Sequence, residues 1–448
     1  MKVFPISDGS PVQFAGPQPA ACDVVVIGGG VIGVMTAWFL AERGLRVTLC
    51  EKGRIAGEQS SRNWGWVRQQ GRDPAELPIM IEAMRIWKSL AQEFGDSLGF
   101  RQEGALYLAK TEAEMAGFAA WLPYAQAHGL DTMMQTRGQI STRLKGAANA
   151  WCGGLITPSD ARAEPWVAVP ILATGAVARG AVIVEHCAVR ALDLAGGRVA
   201  GVVTESGRIA CSHVVLAGGA WSRLFAQRHG VTFPQLSVRA SVAATEPMPD
   251  VFAGNAADSD FAFRRRADGG YTIAPGMEHD FYIGPSAFAS AVSYLPNLRN
   301  DFKSTHFHLA APSGFPDSWG TKRRWTADEP SPFEATRVLN PASNMATIGR
   351  VQDSFVKAFP GLGRPKLRAV WAGMIDTMPD LVPVIDHAAA IPGLVVATGM
   401  SGHGFGIGPG VGRVVADLVL GRDVGHDLSR FRLSRFSDGS KITLGPTL

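Results

Sequence analysis

Cysteine is scarce in this chain of 448 residues. The five present, Cys22, Cys50, Cys152, Cys187 and Cys211, are scattered and never spaced C-x-x-C. That argues against a disulfide framework and against a cysteine-ligated metal centre. Long runs of one charge are missing as well. Lysine and arginine total 43 against 39 acidic residues, a formal net charge of +4 with no basic cluster, so no nucleic-acid partner is expected. The first 21 residues lack the apolar core of a signal peptide. Val24–Ala41 carries no charge and has the length of a membrane span. Three consecutive glycines interrupt it, however, and a strand–turn–helix accounts for it better. The expectation is a cytoplasmic protein with no transmembrane segment and no metal.

What is there points to a globular chain. Apolar residues make up 46% and charged residues 18%, and the length suggests two or more structural units around a large core. The organising stretch is DVVVIGGGVIGVMTAWFLAERGLRVTLCE, Asp23–Glu51. Val24–Ile27 reads as a buried parallel strand. Gly28, Gly30 and Gly33 form G-x-G-x-x-G, and Val31–Arg43 follows with helical spacing. Gly44 ends that helix, and Arg46–Cys50 is a second strand closing at Glu51. The glycines allow a tight turn, close backbone approach to a pyrophosphate and close helix–strand packing. A diphosphate is favoured at the helix N-terminus, and Glu51 falls where a carboxylate accepts from ribose hydroxyls. The motif predicts a dinucleotide and does not choose between NAD and FAD.

Further along, Gly53–Asp73 reads as a loop rich in Gly, Ser, Asn and Arg with Trp64 and Trp66 inside it. Ser60, Ser61, Arg62 and Asn63 are placed to hydrogen-bond a diphosphate, while Trp64–Arg68 continues toward whatever the cofactor reacts with. The plainer alternative is a solvated loop whose indoles pack on the core. Pro74–Phe94 is an amphipathic helix. Gly104–Ala109 is a strand, Glu112–His128 a helix, and Gly153–Pro158 a crossing back to the first unit ahead of a helix at Glu164–Arg179. Strands follow at Val182–Glu185, Ala188–Leu194, Val199–Thr204, Arg208–Cys211 and His213–Ala217. Phe261–Arg266 and Tyr271–Ala274 form a hairpin across ADGG, and one of Arg264–Arg266 is a candidate inward cation. His306 and His308 share a strand face, but no neighbouring carboxylate or thiol in the sequence completes a metal set. Near the end, Leu394–Thr398 is a buried strand and Val411–Leu420 an apolar helix. The glycines between them, from Gly402 to Gly412, suggest backbone against a flat ligand.

Three separated motifs, VVVIGGGVIGVMTAWFLAERGLRVTLCEK, VVLAGGAWS and ATGMSGHGFGIGPGVGRVVADL, together resemble FAD-dependent oxidoreductases of the D-amino-acid oxidase superfamily, in the branch of sarcosine and glycine oxidases. The resemblance implies an α/β architecture. A Rossmann-type FAD-binding domain would be assembled from 22–89, 151–235 and 346–435. A second, α+β substrate domain on a mostly antiparallel sheet would come from 90–150 and 236–345, with 1–21 as an irregular tail. It also implies oxidation of an amino acid or secondary amine, of the sarcosine or iminodiacetate type, by hydride transfer to flavin. An imine would form and hydrolyse. O2 or a respiratory electron acceptor would take the electrons.

Carried over by position, Gly28, Gly30, Gly33 and Glu51 hold the ADP half, with Val31, Ile32 and Lys52 beside them. Ser60–Asn63 run along the diphosphate and ring edge, with Trp64 next to them. Val189 meets adenine through its backbone, and Ala217, Gly218 and Trp221 line the same half. Gly402, His403, Gly404, Phe405 and Gly406 meet the pyrimidine edge of the ring. Arg68 falls where such enzymes place a carboxylate-binding arginine, the alternative being a surface or diphosphate arginine. His403 falls at their site histidine, and Tyr271, Met374 and Arg265 are candidate pocket walls.

Two departures bear on the chemistry. Gly373 stands before Met374 where sarcosine oxidase-like proteins carry a flavin-linking cysteine. No histidine precedes His128, which excludes histidine linkage in the loop after Glu51. The FAD is therefore expected to be non-covalent. Gly406 stands where those enzymes have a lysine, so a carboxylate-binding cation is missing. The rivals are an NAD-dependent dehydrogenase on the same opening motif, an FAD enzyme acting on a hydroxy acid or polyol phosphate, and a flavin-binding accessory subunit.

Overall fold

The computed structural model describes residues 5–148 and 150–445; residues 1–4 of the expected tail lie outside the described residues. Strands are numbered in chain order. The opening strand β1 (Val24–Ile27) is entirely β-branched, which suits a position buried on both faces. It pairs in parallel with β2 (Val47–Cys50) on one side and β12 (His213–Leu216) on the other. Outward from these come β8 (Val182–Val184) beyond β2, then β21 (Leu394–Thr398) and the antiparallel edge strand β20 (Val384–His387) beyond β12. A three-stranded flap, β9 (Val189–Ala195), β10 (Arg198–Thr204) and β11 (Gly207–Ala210), attaches to this unit.

The helix Val31–Glu42 lies between the sheet and two further helices, which is why it is apolar almost all round. One of those helices corrects an expectation. It spans Gly404–Val419 rather than starting at Val411, so Gly406, Gly408, Gly410 and Gly412 are helical. A methyl at Gly408 would lie 2.7 Å from Val31 Cγ2, one at Gly410 2.5 Å from the Ile79 carbonyl oxygen, and one at Gly412 2.6 Å from the Met35 carbonyl carbon. These glycines cost helix propensity and let three helix backbones approach one another. Helix packing, not a flat ligand, accounts for Gly408, Gly410 and Gly412.

The larger sheet has ten strands. Its main path runs β18 (Thr305–His308), β17 (His279–Tyr282), β13 (Leu236–Thr245), β16 (Tyr271–Pro275), β15 (Phe261–Arg265), β14 (Asn255–Ala257), β4 (Ala105–Ala109), β6 (Gly153–Thr157) and β5 (Met133–Thr136), with β19 (Leu367–Thr377) added on β13. Only β14–β4 and β17–β18 are parallel. Residues 153–157, read as a crossing, are thus a strand of this sheet, antiparallel to β4. Residues 367–377 likewise join it before the chain reaches β20. One face packs on the helix Met345–Ala358 through Phe261, Phe263, Tyr271 and Phe355. The opposite face is turned toward the nucleotide unit.

The Gly53–Asp73 segment is not a solvated loop. It holds a short helix, Gln59–Arg62, and strand β3 (Trp66–Val67), which pairs with β7 (Ala161–Arg162). Residues 5–21 form no helix or long strand but are tied down. Glu185 accepts from the Gln13 and Phe14 amides, and Arg62 donates to the Ile6 carbonyl. His306 and His308 meet Glu278 at 3.2 Å and Asp280 at 2.7 Å, carboxylates that strand pairing rather than sequence proximity supplies. No helix among the described residues is long and apolar enough to cross a membrane.

Candidate active site

The end of β1 turns into helix Val31–Glu42 with no room to spare. Gly28 has φ +110°, and a Cβ there would sit 2.4 Å from the Ala217 carbonyl oxygen; one on Gly33 would sit 2.0 Å from that of Gly28. Gly33 therefore serves helix–strand packing and does not line the cleft. Gly30 caps the helix without a side chain, and the Val31 amide donates to Ser60 Oγ at 2.8 Å. At the end of β2, Glu51 accepts from the Gly29 amide at 2.6 Å and the Gly53 amide at 2.7 Å. Burial pushes its carboxyl up to about 7, against the opposing effect of Lys52 and the two amides.

A continuous cleft runs from here. Glu51, Lys52 and Val189 stand at one end, with Ala217, Gly218 and Trp221 along one wall. Gly28, Gly30, Val31, Ile32 and Ser60 form the middle. Trp221 Nε1 donates to both oxygens of Glu58 at 3.1 Å, and the Lys52 ammonium sits 4.5 Å over the Trp221 ring while bonding Glu58 at 2.7 Å. Glu58, which sequence reasoning missed, thus organises this end. At the other end are Gly402, Gly404 and Phe405, on a turn held by Asp376, whose Oδ2 accepts from the Gly399 and Met400 amides at 2.7 and 3.2 Å.

There the cleft meets a second cavity of about 430 Å³, with Asn63, Gly402 and Phe405 lining both. Trp64, Trp66, Tyr107 and Phe118 supply aromatic walls; Ala240, Val242, Gly373 and Ile375 supply the sheet face; Arg68, Arg72 and His403 supply the polar groups. The Arg68 guanidinium lies 5.6 Å from the Tyr107 ring centroid and donates to the Gln70 carbonyl. Buried Asp160 accepts from the Gln69 amide at 2.6 Å and the Gln70 amide at 3.1 Å, which fixes the backbone next to Arg68. Arg72 is almost fully buried. It bonds Glu76 at 3.2 Å and the His403 carbonyl at 3.1 Å, stitching this segment to the C-terminal turn. Burial, with Arg72 and Arg68 beside it, holds the His403 imidazole well below its ordinary range. The ring is neutral at neutral pH.

Several expected residues stand elsewhere. Tyr271 shares a face of the sheet with Ile273, away from the cavity, and its hydroxyl accepts from the Val251 amide at 2.9 Å. Arg265 donates to the Met248 carbonyl and covers the Tyr271 ring. Strand alternation explains Met374: Gly373 and Ile375 face the cavity, so Met374 between them packs on the opposite side. Arg62 borders the cavity, but its guanidinium donates to Gly57, Ala372 and Ile6 carbonyls and to Asn340, not toward a diphosphate. Ser61 is buried with its hydroxyl directed at the Glu58 carbonyl, because the short helix turns Gln59 and Ser60, not Ser61, to the cleft. Gly406 lines neither space. A methyl there would meet the Trp66 carbonyl at 3.2 Å. Sequence reasoning also missed Arg72 and Tyr107. The i, i+4 spacing of Arg72 and Glu76 was the one available signal for the first.

The residues fit a dinucleotide ending in a reactive ring: a glycine turn that admits no Cβ at Gly28, a carboxylate at the end of the second strand, and a cleft that opens into a polar cavity at its far end. Comparisons agree with that geometry. The family model described as FAD dependent oxidoreductase (DAO) matches residues 23–418. The solved structure of L-amino acid deaminase from Proteus myxofaciens in complex with anthranilate is 32% identical, with a TM-score of 0.91 over 97% of this chain and 98% of that one. Sarcosine oxidase subunit beta of Rhizobium meliloti is 24% identical over 94% of this chain and 89% of its own length. Mitochondrial sarcosine dehydrogenase of Mus musculus is 26% identical, but the match spans 42% of that protein. The chain is an enzyme that uses FAD, and it belongs to the DAO family of FAD-dependent oxidoreductases.

Proposed function

We propose that the protein oxidises the C–H bond next to nitrogen in an amino acid, with a free or N-substituted amine, to an imine that water hydrolyses. The observation that carries this reading is the cavity itself, which places an arginine, a neutral histidine and aromatic walls where the cleft ends. Bound in the cleft, FAD would supply the hydride acceptor.

The chain's own residues bind and orient. Arg68 holds the substrate carboxylate, a task suited to a planar guanidinium. Trp64, Trp66 and Tyr107 exclude water, and a drier site disfavours the ammonium form, leaving the amine lone pair free. Neutral His403 accepts a hydrogen bond from the substrate nitrogen. The aromatic walls of the cavity suit a side chain larger than the N-methylglycine type. The likeness to a deaminase of L-amino acids at 32% identity supports the same choice. Binding of FAD is non-covalent in this reading, with Gly373 and no thiol on the cavity wall, and O2 or a respiratory acceptor would take up the electrons.

The test is anaerobic flavin bleaching across primary, secondary and cyclic amino acids, with hydroxy acids and polyol phosphates as the opposing arm. Bleaching by bulky apolar amino acids is expected. Bleaching by hydroxy acids alone overturns the reading.

A further inference from the structure

Two buried polar atoms beside the cavity have no hydrogen-bond partner: His403 Nδ1 and Glu76 Oε1. They belong to side chains that face each other, with Nδ1 3.8 Å from Glu76 Oε2. Buried polar groups are ordinarily satisfied, and a small rotation of either side chain closes this gap. Glu76 stands just ahead of the helix Leu77–Phe94 and is 1% exposed, so no solvent competes for it.

We propose that Glu76 is a positioning residue for His403: it accepts Nδ1–H and leaves the other ring nitrogen, Nε2, as the lone-pair acceptor for the substrate's N–H. The assignment of Nε2 rests on the amino-acid oxidation reading; the Glu76–His403 contact does not. A neutral imidazole carries one proton, and the partner of one nitrogen decides what the other offers. Such outer partners orient functional histidines elsewhere in proteins.

The surroundings favour this division of labour. His403 is faced by Arg68 and Arg72, and both positive charges oppose an imidazolium. The question at this ring is therefore which nitrogen holds the single proton. Glu76 is faced by Arg72, Arg68 and Asp73, while Arg68 and Arg72 stand near Tyr107 and Arg68 near Asp160. Burial pushes the Glu76 carboxyl up to about 7. Above that pH the carboxylate accepts from Nδ1–H. Below it the neutral acid donates to Nδ1, and the ring proton moves to Nε2, which can no longer accept. Flavin reduction by substrate accordingly rises as pH climbs through about 7.

The experiment uses holoenzyme labelled with ¹⁵N-histidine and no substrate, the His403 signal being identified by its loss in His403→Asn. Well above pH 7 the wild type should show Nδ1 protonated and Nε2 bare. In Glu76→Gln the amide oxygen stays on Arg72 and its NH2 turns to Nδ1, so the tautomer should invert. Its flavin reduction rate should fall roughly 10–100-fold, with KM little changed and the pH step near 7 gone. Should that variant fail to hold flavin, the wild type decides by itself: its ring should pass from Nδ1-protonated to Nε2-protonated as pH falls through about 7. A wild-type ring protonated at Nε2 above pH 7, or a Gln variant that keeps both tautomer and pH step, overturns the proposal. Failure of every amine to bleach the flavin defeats the functional reading alone, since the tautomer is read without substrate.

Discussion

The nucleotide cleft and the cavity it opens into are made of different materials. Backbone dominates the cleft: glycines at 28, 30 and 218, amides at Gly29 and Gly53, and a helix N-terminus. Its glycine turn lies within one βαβ stretch, and the remaining walls come from later segments. Side chains dominate the cavity, and they come from the segment around β3, from β4 and the helix after it, from β13, from β19 and from the turn at His403. A site of backbone is specified by where side chains are forbidden. One of side chains is specified by how distant strands register. The two should therefore fail differently when mutated.

The largest effect is expected from Gly28→Val. A Cβ 2.4 Å from the Ala217 carbonyl oxygen, at φ +110°, leaves no accommodation short of moving β1 from β12. Purified protein should carry no measurable flavin by absorbance. Full flavin content would erase the contrast between cleft and cavity. Arg68→Ala probes the other side. Losing a charge-assisted contact of about 1.5–3 kcal/mol predicts roughly a 10–150-fold weaker apparent affinity for carboxylate-bearing substrates. Flavin content should stay intact, and unchanged affinity removes Arg68 from the site.

A pH comparison sharpens the cleft further. Glu51 has a folded-state value of about 7 against an ordinary 4.5. A raised value means that stability is fully present below the unfolded value and lost as pH rises through the folded one. Glu51→Gln should therefore gain thermal stability relative to wild type, in the flavin-free form, as pH increases from 4.5 to about 7. A melting difference that stays flat over that range counts against a desolvated carboxyl at Glu51. The smallest effect belongs to Tyr271→Phe. It should cost about 1 kcal/mol for the lost hydroxyl bonds, read as a lowered melting temperature, and leave substrate affinity unchanged.

This last pair, Arg68 and Tyr271, shows how far the sequence was legible. Both were candidate pocket residues. Arg68 follows the glycine-rich unit closely and reaches the cavity, while Tyr271 sits in a hairpin whose elements are plain in the sequence but whose inward face is not. Alternation says that Tyr271 and Thr272 point opposite ways; only pairing with β13 says which way is in. Met374 failed for the same reason, one residue out of phase with Gly373 and Ile375. Arg72 and Glu76 went unnoticed because their partner, His403, lies more than 300 positions away.

The sequence by itself determined the β1–turn–helix–β2 unit, its dinucleotide cradle and the carboxylate at position 51. Each of these depends on local backbone freedom and on periodicity within thirty residues. Tertiary structure decided everything that needs two distant segments in register. It made Gly408, Gly410 and Gly412 packing glycines within a helix, and it turned Arg62 to protein carbonyls. It also brought Arg68, Arg72, Glu76 and His403 around one cavity. The physical reason is range: steric exclusion acts between neighbours in the chain, whereas the facing of a side chain follows from sheet register, which no short stretch encodes.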